Sequence, residues 1–247
     1  MPHIYDQDRF QTEPSAVLLD LDNTLYPFEP AHSAAESEVL AMAAQQMGLA
    51  VKHVRAAFSQ ARQDVKKRLG PVASSHNRLL YFSRGIESLG RKAQPLLALT
   101  LEQTYWNVFF QNIRLFDDVI LFLTALKGSG IPICLVTDLT AEVQYRKILF
   151  LELENYFDYI VTSEDSGRDK PDPASFRLAL ELLQIPPERV WMIGDNPQTD
   201  IDGGRASGLT TLLKKNGPFM SASQAHLDFD RFADLHKFMR DRKWVLY

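Results

Sequence analysis

Residues 16–26 read Ala-Val-Leu-Leu-Asp-Leu-Asp-Asn-Thr-Leu-Tyr, an apolar run that ends in two carboxylates two positions apart. On a strand, side chains i and i+2 share a face, so Asp20 and Asp22 leave the strand end together. Two such carboxylates repel each other unless a positive charge offsets them. A hard divalent cation with oxygen ligands, magnesium foremost, would do so. An Asx-type turn at a strand end accounts for the same residues without chemistry. Three further segments bear on that choice. Val136-Thr137-Asp138 closes a second apolar run and brings a hydroxyl and several backbone N–H groups to a strand end ahead of a helix, a geometry that suits an anion. A plain helix N-cap by Thr137, Asp138 or Thr140 is the alternative. In Gly167-Arg168-Asp169-Lys170-Pro171-Asp172-Pro173 the two prolines restrict the backbone around Lys170, which is otherwise a solvated loop lysine. Trp191-Met192-Ile193-Gly194-Asp195 ends a third apolar run in an aspartate, with Gly194 permitting a tight exit and Asp200 five positions on. A turn and an N-cap explain that segment equally well.

Such residues need a scaffold that gathers strand ends. Apolar runs at 16–21, 131–136, 159–162, 190–193 and 210–213 alternate with helical patterns near 117–128, 140–151, 173–184 and 198–207. Uniformly apolar strands alternating with helices indicate a parallel sheet covered on both faces. Residues 29–112 break this rhythm. Val54, Phe58, Ala61, Val65 and Leu69 recur at helical spacing, as do Leu79, Phe82, Ile86 and Leu89, and then Leu97, Leu101, Tyr105 and Val108. With a helix over about 31–47, and breaks at Gly48, Gly70-Pro71 and Gly90 to Pro95, this is a bundle of about four helices inserted after the first strand. Placed there, it is expected to cover the strand's carboxylates as a lid; a packing subdomain without a chemical role is the alternative. Phe229, Phe232, Leu235 and Phe238 suggest one more helix within 216–247.

The apolar fraction of 45% and charged fraction of 23% fit a globular chain. A net charge of −4 and a pI near 5.9 speak against a nucleic-acid surface as the main business. Cys134 is the single cysteine, which excludes an intrachain disulfide. Its apolar neighbourhood marks it as a small buried hydrophobe, not a thiol nucleophile. Residues 1–14 are polar and partly acidic, unlike a signal peptide, and no apolar run approaches the ~20 residues of a membrane span. A cytoplasmic protein without membrane or nucleic-acid partners is expected, as a monomer or homodimer.

The order of the motifs, D-x-D-x-T, then Thr, then a loop Lys, then G-D-x-x-x-x-D, resembles the haloacid dehalogenase-like hydrolase superfamily over about residues 14–215. The resemblance implies an α/β fold, a Rossmann-like parallel-sheet core of residues 1–28 and 113–247 with a helical cap of 29–112. It implies a phosphatase that uses Mg²⁺ and hydrolyses a small phosphorylated metabolite through an aspartyl-phosphate. By their motif positions, Asp20 would be the nucleophile and Asp22 the acid and base. The metal would be held by Asp20, the backbone carbonyl of Asp22, and Asp195. Thr137, Asp138 and Lys170 would bind the phosphoryl group, with Asp200 supporting from behind. True dehalogenases lack a carboxylate at the position of Asp22, because a halide leaves without a proton. The insert resembles the small cap of the phosphoglycolate phosphatase and nucleotidase branches, where Arg62, Arg78, Tyr81 and Arg84 could reach a substrate. Leu18 to Tyr26 and Thr137 to Thr140 resemble pyrimidine 5′-nucleotidase-like members, so a nucleoside monophosphate is one candidate. A phosphomutase on the same scaffold, or a non-catalytic binding protein that keeps the fold, remain alternatives.

Overall fold

The apolar runs that carry the aspartates pair side by side in one sheet. The structure, a computed structural model, describes residues 1–217 and 224–245. In chain order it contains β1 (His3–Ile4), β2 (Ala16–Leu19), α1 (Phe28–Met47), α2 (Val51–Leu69), α3 (Arg78–Ser88), α4 (Pro95–Asn112), α5 (Val119–Gly128), β3 (Ile133–Thr137), α6 (Ala141–Phe150), β4 (Tyr159–Thr162), α7 (Ser163–Ser166), α8 (Pro173–Leu183) and β5 (Val190–Gly194). A π-helical segment, Pro197–Asp202, then runs into α9 (Gly203–Ala206), followed by β6 (Thr210–Lys214), β7 (Leu227–Phe229) and α10 (Phe232–Asp241). The chain divides into two units, Met1–Pro27 with Arg114–Tyr247, and Phe28–Ile113.

Unit 1 holds a seven-stranded sheet in the order β1-β7-β6-β5-β2-β3-β4. All pairings are parallel except that of β1 with β7. Leu19 lies opposite both Leu135 and Ile193, so the carboxyl ends of β2, β3 and β5 coincide. The chain leaves β2 for β3 and β4 on one side and returns to β5 and β6 on the other. That reversal opens a crevice at the strand ends, where open α/β sheets bind ligands. Ala16, Leu18, Cys134, Val136, Val190 and Met192 form one core with Phe176 and Ala179 of α8. Burial pushes the Cys134 thiol up to about 12, in keeping with a packing role. Phe122 of α5 meets Phe232 of α10 with ring centroids 5.1 Å apart.

Three elements differ from the sequence reading. The short β1 adds an antiparallel edge to the sheet. Phe229 belongs to β7, while Phe232, Leu235 and Phe238 lie on α10 as buried residues. The stretch read as one helix near 198–207 divides between the π-helical turns and α9. Residues 218–223 and 246–247 of the C-terminal segment lie outside the described residues.

Unit 2 consists of α1 to α4. Val54, Phe58, Ala61 and Val65 form the buried stripe of α2, as their spacing predicts. The ring of Phe58 lies so close to Gly85 that a methyl group there would overlap it, so α3 approaches α2 at a glycine. Asn77 caps α3 by accepting from the Leu80 N–H at 3.3 Å, and Pro95 occupies the first turn of α4. In unit 1, the chain on either side of this insertion is joined by a hydrogen bond from the Phe116 N–H to the Leu25 carbonyl, at 2.9 Å. Among the described residues, no helix is long and apolar enough to cross a membrane.

Candidate active site

Asp20 follows β2 directly, and its N–H donates to the Ile193 carbonyl at 3.0 Å, which carries the β2–β5 ladder one step further. Its side chain is buried. One carboxylate oxygen, Oδ1, accepts from Lys170 Nζ at 2.8 Å, and Oδ2 accepts from the Thr24 hydroxyl at 2.8 Å. Burial pushes the Asp20 carboxyl well above the usual range; Lys170 opposes this, and Asp200 and Asp195 reinforce it.

Lys170 ties three segments together. Its ammonium has three N–H donors, and they go to Asp20 Oδ1, to Asp200 Oδ1 at 2.7 Å and to the Val136 carbonyl at 2.9 Å. The loop lysine of the sequence is therefore buried, not solvated. Burial disfavours its charge, yet Asp20, Asp200 and Asp138 outweigh that and hold its pKa well above the ordinary lysine value. With all three donors engaged, a phosphoryl oxygen reaching Nζ must displace one of these partners.

Thr137 ends β3, and its Oγ1 accepts from the side-chain amide of the fully buried Gln144. The same amide nitrogen donates to the Asp138 carbonyl at 2.7 Å. The Thr137 hydroxyl in turn donates to the Asp138 carbonyl across a long 3.5 Å, so offering its proton to an anion would replace that weak contact. Leu139 follows with φ of 101°, a strained value for a residue with a side chain, so its surroundings hold this turn in place. Asp138 does not belong with the phosphoryl ligands by its side chain. Its Oδ1 accepts from Ser163 Oγ and from the Lys170 backbone N–H, both at 2.9 Å. A carboxylate would repel a phosphate, and here it orients the lysine loop. The helix-cap alternative does not hold either: Thr140 precedes α6 without a side-chain cap, and the Ala141 N–H donates to Glu164 at 2.9 Å.

Beyond β5, Asp195 and Asp200 turn back toward Asp20. Carboxylate oxygens of Asp20, Asp195 and Asp200 all lie within 4.8 Å of one another. Gly194 permits this by its lack of a side chain, not by an unusual turn: a methyl group there would overlap the Asp200 carboxylate. Asp200 is fully occupied, with Oδ1 on Lys170 and Oδ2 accepting from the Asn196 N–H at 3.0 Å. Asp195 is the least engaged, with Asn216 Nδ2 at 3.4 Å. Burial first, and then Asp200, push its carboxyl up to about 7, with a further contribution from Asp22. Three crowded carboxylates that share the single charge of Lys170 offer oxygen donors that fit a hard divalent cation.

The Asp22 side chain stands apart from this cluster, and it is the backbone carbonyl of Asp22, not its carboxylate, that the sequence resemblance groups with the metal ligands. Both of its carboxylate oxygens accept from Lys147 Nζ, each at 2.7 Å, and the Tyr26 hydroxyl donates to Oδ1. Lys147 projects from α6 and is completely buried. Sequence reasoning passed over both Lys147 and Gln144. They stand three positions apart on α6 and so share a face, but a lysine and a glutamine on a helix read as solvent-facing.

Residues 14–208 match the family model described as haloacid dehalogenase-like hydrolase. The chain is 38% identical over 201 residues to the ribulose-1,5-bisphosphate 5-phosphatase of Halopiger xanaduensis, covering 81% of this chain and 84% of that one. It is 30% identical over 205 residues to the glyceraldehyde 3-phosphate phosphatase of Methanopyrus kandleri, covering 83% and 85%. The magnesium-bound structure of the HAD-hydrolase YfnB from Bacillus subtilis superposes with a TM-score of 0.68 at 22% identity, over 93% of this chain and all of that one.

Proposed function

The chain belongs to the haloacid dehalogenase-like hydrolases and is a phosphoric monoester hydrolase, and we propose that it frees phosphate from a small phosphorylated sugar by way of an aspartyl-phosphate on Asp20. The observation that carries this reading is the contact between Lys170 Nζ and Asp20 Oδ1 within a cluster that also contains Asp195 and Asp200. A buried carboxylate held by one lysine and one hydroxyl, at a strand end that opens on a crevice, has the placement of a nucleophile.

In this reading an Asp20 oxygen attacks phosphorus and the ester P–O bond breaks. The leaving oxygen takes a proton from Asp22. A water then attacks the phosphorus, giving its proton to Asp22, and the acyl phosphate cleaves to phosphate and the free Asp20 carboxylate. Lys170 keeps a positive charge beside the reacting carboxylate, and the Thr137 hydroxyl donates to a phosphoryl oxygen. Lys147 and Tyr26 hold the Asp22 carboxylate in place between its two proton transfers. Asp20 and Asp195 would hold Mg²⁺, with the Asp22 carbonyl as a further ligand and Asp200 fixing Asp20 through Lys170. When bound, the ion would neutralise charge on the phosphoryl oxygens. The bundle of unit 2 would select the leaving group.

The names of the two relatives, a ribulose-1,5-bisphosphate 5-phosphatase and a glyceraldehyde 3-phosphate phosphatase, support this substrate class. A panel containing sugar phosphates, triose phosphates and nucleoside monophosphates, assayed by phosphate release with Mg²⁺ and with EDTA, tests it. Turnover of a sugar phosphate that requires Mg²⁺ and vanishes in Asp20→Asn is the expected result. A preference for nucleoside monophosphates would redirect the substrate reading, and full turnover by Asp20→Asn would refute the covalent route.

A further inference from the structure

Unit 2 contains a partly open cavity of about 80 Å³ whose wall includes His32, Val39, Phe58, Arg62, Arg78 and Tyr105. The Arg78 guanidinium lies 4.7 Å from the centroid of the Tyr105 ring, 5.4 Å from that of Trp106 and 5.8 Å from that of Tyr81. It donates to the His76 carbonyl at 3.2 Å and to the Tyr105 hydroxyl at 3.1 Å. Its Nε is buried and has no partner. Among the described residues no carboxylate pairs with Arg78, and Glu36, which also lines the cavity, is paired with Arg55.

The hydrogen bonds also orient His32. The Tyr105 hydroxyl accepts from Arg78 and is hydrogen-bonded to His32 Nδ1 at 2.8 Å. Burial first, and then Arg78, lower the His32 pKa, while Glu36 and Glu29 act the other way and Arg62 adds to the lowering. The other ring nitrogen, Nε2, makes no hydrogen bond among the described residues.

A guanidinium held by aromatic faces, without a counter-charge and with an unused Nε–H, is costly unless something else completes it. Beside it stands the unpartnered Nε2 of His32, with the cationic Arg62 on the same wall. Val39, Leu40, Phe58 and Phe82 give the wall an apolar part. A water needs ~10–15 Å³ of such space, so the cavity has room for a charged group of several heavy atoms. We propose that this cavity binds a small organic oxyanion, with its carboxylate or phosphate on Arg78 and its apolar part against Val39, Leu40 and Phe58. The site lies wholly in unit 2 and stands whether or not Asp20 is the nucleophile.

Nuclear magnetic resonance on the full chain tests it at the atoms concerned. The Arg78 Nε–H resonance, identified by its loss in Arg78→Lys, is followed while inorganic phosphate is added, and in a second titration propionate. Saturable movement of that resonance, accompanied by the Trp106 indole N–H, is expected with at least one probe. The probe that saturates tells a phosphate from a carboxylate ligand. In Arg78→Gln, binding read at Trp106 should weaken about tenfold to a hundredfold, the loss typical of a charged hydrogen bond. If that variant does not fold, Arg78→Lys, which keeps the charge and loses the planar fork, should show a smaller weakening. Neither probe moving the Arg78 resonance, or a linear drift shared equally by Arg62, would overturn the proposal.

Discussion

Raising the pH of the protein in EDTA measures the strain in the carboxylate cluster. The Asp195 carboxyl is pushed from 3.8 to about 7. The folded state therefore retains a proton that the unfolded chain has released, so stability is full below pH ~4 and falls as pH climbs to about 7. At ~1.4 kcal/mol per unit, a shift of about three units amounts to roughly 4 kcal/mol, an upper bound for a group that retains some solvent contact. For a chain of this size that is on the order of 10 °C in the unfolding midpoint. His226 has the opposite slope. Burial, aided by Arg205 and Arg9, lowers its pKa to about 4, so the folded state resists its protonation and gains stability as pH rises from about 4 to 6.5. The wild-type curve mixes both effects, and Asp195→Asn separates them. Thermal unfolding of both proteins, followed from about pH 5 to pH 8 in EDTA, covers about two units of that window and should show the wild type losing up to ~3 kcal/mol relative to the variant. Mg²⁺ at the upper pH should restore the wild type and leave Asp195→Asn nearly unchanged. Equal pH slopes for the two proteins would refute the argument.

Lys170→Met should depress kcat/KM for every phosphate ester together, by about 10²–10³, because each substrate presents the same phosphoryl group to Asp20. It should also lower the unfolding midpoint, since Asp20 and Asp200 lose the cation between them; a loss confined to one substrate would contradict its placement. Lys147→Met should slow single-turnover cleavage of alkyl phosphates by about 10- to 100-fold. Esters of acidic phenols, whose oxygen leaves without help from Asp22, should be affected less, and an equal loss on both classes would mark Lys147 as structural only. Gly194→Ala should cost ~1–3 kcal/mol in denaturant unfolding by forcing Asp200 away, with a fall in turnover alongside; wild-type values of both would show that Asp200 has room to spare.

The strand-end residues were legible because fully apolar strands stop where polarity begins. Asp20, Thr137 and Asp195 stand at such boundaries, and the order of the motifs alone assigns them to one sheet. Apolar runs likewise revealed β2 to β6, and helical spacing revealed α2 to α4, with α1 expected over about 31–47. Two residues of β1 and three of β7 carry too little pattern to be seen, and Phe229 fitted a helical spacing with Phe232 that the pairing of β7 with β6 overrides. The polar partners were hidden for another reason. Gln144 and Lys147 owe their importance to burial against the ends of β3 and β2, and nothing local in α6 records that. Asp138 was grouped with the phosphoryl ligands by proximity in sequence, whereas its bonds to Ser163 and the Lys170 N–H run back across the loops.

The hydrogen bond between Leu25 and Phe116 has a consequence for how such a chain can change over generations. Seen from the sheet, everything between those two residues is a loop with its mouth already closed. The entropy of closing a loop grows only with the logarithm of its length. A longer, shorter or wholly different insertion could therefore occupy the same mouth without altering the register of β2 against β3 and β5. The α/β unit and the helical bundle are free to diverge at different rates, with the phosphoryl chemistry retained in the first while the second is exchanged.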